Sequence, residues 1–156
     1  MNQELAVGDP APEIDLPADT QSRITLAQLR GGPVVVYFYP KDDTSGCTKE
    51  AIAFTELKPQ FDKAGATIIG ISPDSVEKHA KFRQKHELDV LLAADEEKAV
   101  VEAYGVWVEK SMYGRKYMGV ERATYLVDAD GKIARIWRKV KVNGHAEAVL
   151  DAIAEL

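Results

Sequence analysis

Apolar positions follow different rhythms along the chain, and each rhythm predicts a different kind of element. The run Val34 to Tyr39, in "PVVVYFY", is continuous, β-branched and aromatic, as expected of a strand buried on both faces. "ATIIGIS" repeats that pattern, and "DVLLAAD" does so in shorter form. Between the first two runs, "SGCTKEAIAFTELKPQFDKAG" has helical spacing: Ala51, Phe54 and Leu57 share a stripe that Phe61 continues. Pro59 predicts a kink or break in this helix, because it lacks an N–H and clashes with the preceding turn. Gly65 predicts its stop. "PDSVEKHAKFRQKHE" reads as a helix with Pro73 or Asp74 near its start, and "EEKAVVEAYG" as one closed by Gly105. "GHAEAVLDAIAEL" reads as a terminal amphipathic helix.

The remaining segments are extended. "APEIDLPADTQSRITLAQL" gives two short pieces around a polar turn, and the stretch 106–140 gives several pieces with turns at Tyr113-Gly114 and at "DADG". Strands and helices alternate through the middle, and a hairpin and a helix follow. This order predicts one α/β domain over residues 1–156, a mixed β-sheet flanked by helices on both faces with an N-terminal extension. A thioredoxin-like fold fits that order, although periodicity alone leaves other three-layer α/β folds open.

Composition narrows the function. A formal charge of -5 argues against general nucleic-acid binding, which needs basic patches. The basic stretch Arg135, Arg138, Lys139 and Lys141 reads as a solvated strand face. The apolar run Val34–Tyr39 is far too short to cross a bilayer, and the start lacks the pattern of a secretory signal. One cysteine cannot close an internal disulfide, so a reducing, cytoplasmic setting is expected. No metal-ligand cluster or phosphate-binding glycine loop is visible, "DADG" lacks the other ligands of a calcium loop, and no cofactor is expected.

That cysteine, Cys47, sits where a strand ends and a helix begins. The first turn of a helix leaves N–H groups unpaired and carries partial positive charge, both of which favour a thiolate. Thr44 lies three residues earlier, where its hydroxyl could donate to sulfur. Pro40 stiffens and shields the entry, and Gly46 permits close approach. Ser45 could cap the helix start. A lone cysteine is often a small buried hydrophobe, but the polar flanks in "DDTSGCTKE" argue against a fully apolar socket. Glu50, one turn on, could organise an arginine or simply favour the helix start as a carboxylate. Trp107 and Tyr113 could flank the pocket but read first as packing residues. His79 and His86 read as solvated, and His145 as the start of the last helix. None of the three adjoins Cys47 in sequence, so a Cys-His hydrolase has no visible support.

"FYPKDDTSGCTKEA" resembles the active-site segment of the peroxiredoxins, with their Pro-x-x-x-Thr-x-x-Cys pattern met by Pro40, Thr44 and Cys47. "YGVWVEKSMYGRKYMGVERATYLVDADGKI" is similar to the later segment of the Q-type group, the bacterioferritin comigratory proteins, including an arginine at Arg122. The resemblance runs over nearly the whole chain. It implies a thioredoxin-like fold and cysteine-based reduction of hydrogen peroxide and organic hydroperoxides. Cys47 would be the peroxidatic nucleophile, Thr44 would hydrogen-bond thiolate and peroxide, Arg122 would stabilise the thiolate and transition state, and Pro40 would shield the pocket. Many Q-type members carry a resolving cysteine five residues further on, where this chain has Ile52. The implied cycle therefore uses an external thiol, whether thioredoxin, glutaredoxin or a small thiol such as glutathione, and the implied oligomeric state is a monomer. The missing cysteine also fits a redox sensor that passes its oxidation to a partner.

Overall fold

The computed structural model describes residues 4–156. Its central sheet is built on β3 (Val34–Phe38). Beside β3 lie β4 (Thr67–Ser72), which is parallel to it, and β8 (Ala123–Val127), which is antiparallel. β5 (Leu91–Ala94) extends the β4 side and β9 (Ile133–Trp137) the β8 side, giving the order β5-β4-β3-β8-β9. The continuous apolar run of β3 follows from this central place. Val34, Val36 and Phe38 enter one core cluster, while Val35, Tyr37 and Tyr39 enter the other.

The second cluster takes Phe54 and Phe61 from α1 (Ser45–Lys63), Phe82 from α2 (Val76–His86) and Val149 and Ile153 from α4 (His145–Ala154). The first takes Val100 and Val101 from α3 (Ala99–Ala103), together with Leu16 and Ile24 from the antiparallel pair β1 (Asp15–Pro17) and β2 (Arg23–Thr25). Helices thus cover both faces of a mixed sheet, as the pattern predicts. A separate hairpin, β6 (Trp107–Met112) and β7 (Arg115–Val120), turns at Tyr113-Gly114, both with positive φ, the geometry of a two-residue hairpin turn.

The structure sharpens several local expectations. α1 runs unbroken through Pro59, which lies on the exposed face, so the carbonyl that loses its helical partner is at the solvent side. Gly65, with φ 73°, stops the helix as expected. α2 has Pro73 and Asp74 just before its start, as expected, and Ser75 is the residue that caps it, accepting from the Lys78 N–H at 3.2 Å. Arg138 is not simply solvated, because it donates to Glu121 at 2.6 Å and to the Gly105 carbonyl at 3.1 Å. Among the described residues, no helix is long and apolar enough to cross a membrane.

Candidate active site

The site forms because β3 hands the chain directly to α1. Tyr39 ends the buried run, Pro40 is half-buried, and Thr44 becomes the helix N-cap with extended φ and ψ of -91° and 157°. Cys47 is the third residue of the helix and only 2% exposed. It therefore sits in the first turn, where the helix carries partial positive charge.

Arg122 arrives from 75 residues further along the chain. The antiparallel pairing Phe38↔Ala123 sets residue 122 beside the C-terminal exit of β3. Its backbone is fixed by the Val140 N–H, which donates to the Arg122 carbonyl at 3.0 Å. Nη2 donates to Cys47 Sγ at 3.3 Å, and Nη1 donates to Glu50 Oε1 at 2.7 Å. Gly46 makes room for this fork: a Cβ there would stand 3.0 Å from Arg122 Nη2.

Glu50 is 1% exposed, and its second oxygen, Oε2, has no partner. Burial pushes its carboxyl up to about 7, against the opposing pull of Arg122. Burial also works against the charge of Arg122, but Glu50 and Cys47 outweigh it and hold the guanidinium above its ordinary value. Glu50 therefore organises Arg122, the first of the two roles that its sequence position allows.

Thr44 behaves differently from expectation. Its hydroxyl donates to the Lys41 carbonyl at 2.9 Å, closing the loop, and is not spent on sulfur or on a helix N–H. A hydroxyl has one hydrogen, and the turn takes it. Ser45 is not the cap but the first helical residue. Ile52 is partly buried against the cluster that contains Cys47. Trp107 packs against the opposite cluster with Lys98 over its ring at 5.5 Å, while Tyr113 is 98% exposed at a hairpin tip.

His79 reverses its reading. It is fully buried, with Nδ1 2.6 Å from Asp42 and Nε2 3.0 Å from the Ala93 carbonyl. His86 is half-buried and pairs with Asp43 at 2.8 Å. His145 does begin α4, where it bonds Thr124 at 2.7 Å. Burial, then the charge of Arg122, pushes its ring down to about 4. Sequence reasoning missed Lys110, whose stem crosses Gly119, with Cδ 3.2 Å from where a Cβ would sit. Burial and then Arg122 lower its pKa while Cys47 opposes them, so its ammonium lies within electrostatic range of the site. Only its place on the hairpin that leads into Arg122 could have suggested it.

A helix N-terminus, a lone thiol and an arginine held by a buried carboxylate make a site for an anionic sulfur attacking a polarisable bond. A model of the AhpC/TSA family matches residues 7–136. This chain belongs to the AhpC/TSA family. Within that family it is 43% identical over 152 residues to the Bacillus subtilis peroxiredoxin Bcp, covering 97% of each chain. It is 46% identical over 146 residues to the Xanthomonas campestris peroxiredoxin Bcp, covering 92% of this chain and 91% of that one. A Xylella fastidiosa PrxQ structure superposes with a TM-score of 0.92 at 35% identity, covering 98% of each chain. The Q-type resemblance and the thioredoxin-like fold expected of this AhpC/TSA member both hold.

Proposed function

We propose that this chain is a thiol-dependent peroxidase that reduces hydrogen peroxide and organic hydroperoxides at Cys47. The observation that carries the reading is the Arg122 guanidinium, which donates to Sγ at 3.3 Å while Glu50 holds its other amino group. A Xanthomonas campestris bacterioferritin comigratory protein, 44% identical to this chain, is described as having alkyl peroxide reduction activity, and that supports the substrate class.

The Cys47 thiolate attacks one peroxide oxygen, the O–O bond breaks, and the departing oxygen takes a proton to leave as water or an alcohol. Cys47 becomes a sulfenic acid. Negative charge moves from sulfur towards the leaving oxygen, along the line that the Arg122 donor and the helix N-terminus face. Thr44 can donate to the peroxide only by turning its hydrogen away from the Lys41 carbonyl. An external thiol then attacks the Cys47 sulfur and expels water, and a second thiol releases the resulting mixed disulfide as Cys47 thiol. Thioredoxin, glutaredoxin or a small thiol could supply both reducing equivalents. No cofactor enters this scheme, and the reading places the chain in a reducing cytoplasm as a monomer.

Intact-mass analysis tests this reading. One equivalent of hydrogen peroxide should add one oxygen to the wild-type chain and none to Cys47→Ser, and dithiothreitol should then remove it over repeated cycles. A chain that stops after a single turnover with every thiol tried would instead be a sensor.

A further inference from the structure

Cys47 has two needs that oppose each other. Peroxide chemistry needs the sulfur held under Arg122, yet a thiol reductant has to reach a side chain that is 2% exposed. The loop between β3 and α1 leads directly into the helix turn that carries Cys47, and one buried point fastens it. Asp42 Oδ1 accepts from the Tyr39 hydroxyl at 2.6 Å, and Oδ2 lies 2.6 Å from His79 Nδ1. The Asp42 N–H donates to Asp74 Oδ2 at 2.7 Å, and Ser72 Oγ donates to the same oxygen at 2.8 Å.

The partners belong to the framework. Tyr39 continues β3, Ser72 ends β4 and His79 lies in α2. The Ala93 carbonyl can only accept, so His79 Nε2 carries a hydrogen towards β5, and one further proton lies between Nδ1 and Oδ2. Next to this anchor, Asp43 has φ 61°, a conformation that non-glycine residues rarely hold unless neighbours impose it. Its carboxylate pairs with Lys85 at 2.7 Å and His86 at 2.8 Å, but these are exposed contacts and weak ones. The buried bonds of Asp42 therefore carry most of the restraint on the loop.

We propose that Asp42, held by His79 and Tyr39, is a positioning residue that sets how firmly the loop closes over Cys47, favouring the peroxide step and restraining the thiol step. It does not bond to sulfur, so it acts through the backbone of the loop. The proposal rests on the reading of Cys47 as the peroxide-reducing thiol.

Three rates test it: oxidation of Cys47 by hydrogen peroxide, reduction of the sulfenic acid by dithiothreitol, and alkylation of the reduced thiol by iodoacetamide. Asp42→Ala removes the carboxylate and leaves the backbone bond to Asp74. It should slow oxidation about tenfold, the scale of one buried charge-assisted hydrogen bond, and speed the other two rates several-fold. Asp42→Asn should restore the wild-type pattern, since its amide can accept from Tyr39 and donate to a neutral His79. Tyr39→Phe removes the bond to Asp42 and a longer, 3.5 Å contact to His79 Nδ1, and should move the rates the same way by less, which covers a failure of Asp42→Ala to fold. Three rates that fall together, unchanged alkylation in both variants, or an Asn variant as impaired as Ala would overturn the proposal. A wild-type chain that peroxide does not oxidise at Cys47 would overturn the proposed function instead, and the alkylation comparison would still report on the loop.

Discussion

Arg122 divides its two amino groups between a carboxylate and a sulfur, and that division makes it hard to replace. A lysine would keep the charge, but one ammonium cannot hold a fixed planar fork. Arg122→Lys should lower the second-order rate with hydrogen peroxide by about 100-fold, measured by stopped-flow fluorescence. Glu50 tunes the same group. Because its carboxyl titrates near 7, Arg122 faces a neutral acid below that pH and a full counter-charge above it. The guanidinium is then less neutralised, and freer to act on sulfur, on the acid side. Glu50→Gln should remove an inflection near pH 7 from the peroxide rate profile and leave the profile flat there. A profile with the same inflection in both proteins would show that Glu50 does not set it.

At the scale of the element, the intact first turns of α1 explain why Ile52 matters. Five helical residues span about 7.5 Å along the axis, beyond the usual Cα separation of about 4.4–6.8 Å in a disulfide. A cysteine at position 52 could bridge Cys47 only if the start of α1 unwound. Ile52→Cys should therefore form an internal disulfide after one equivalent of peroxide, with loss of about two turns of helical circular dichroism. It should also cost about 1 kcal/mol of stability in the reduced form, because Ile52 packs against the core. Both β3 and α1 are legible in the sequence, β3 as a continuous apolar run buried on both faces and α1 through an apolar stripe that repeats every three to four residues. The Cys47–Arg122 pairing is legible only through family resemblance, as no periodicity links residues 75 apart. The Asp42–His79 bond is hidden for a related reason: aspartate and histidine look solvated until the topology brings α2 onto the loop. Pro59 shows the reverse case: the break it signals does not occur, and α1 runs on through it with Phe54 and Phe61 packed in the core on either side.

For the whole molecule, two buried groups oppose each other in the pH dependence of folding. Glu50 rises from 4.5 to about 7 in the folded chain, so between those values the folded state holds the extra proton and stability falls as pH rises. His145 falls from 6.5 to about 4, so between those values the unfolded state holds the extra proton and stability rises with pH. From about pH 4.5 to 6.5 these two contributions nearly cancel. Glu50→Gln leaves the His145 slope alone, and its urea midpoint should climb across that range more steeply than that of the wild type. Equal slopes in the two proteins would refute this balance.

With a single thiol in the whole sequence, the chain stores both oxidising equivalents in one place. It has no internal partner to which it can hand them. How long each molecule stays oxidised therefore depends on the supply of a second thiol as well as on the loop that restrains its access, and the oxidised fraction at any moment is a readout of peroxide arriving against reductant available.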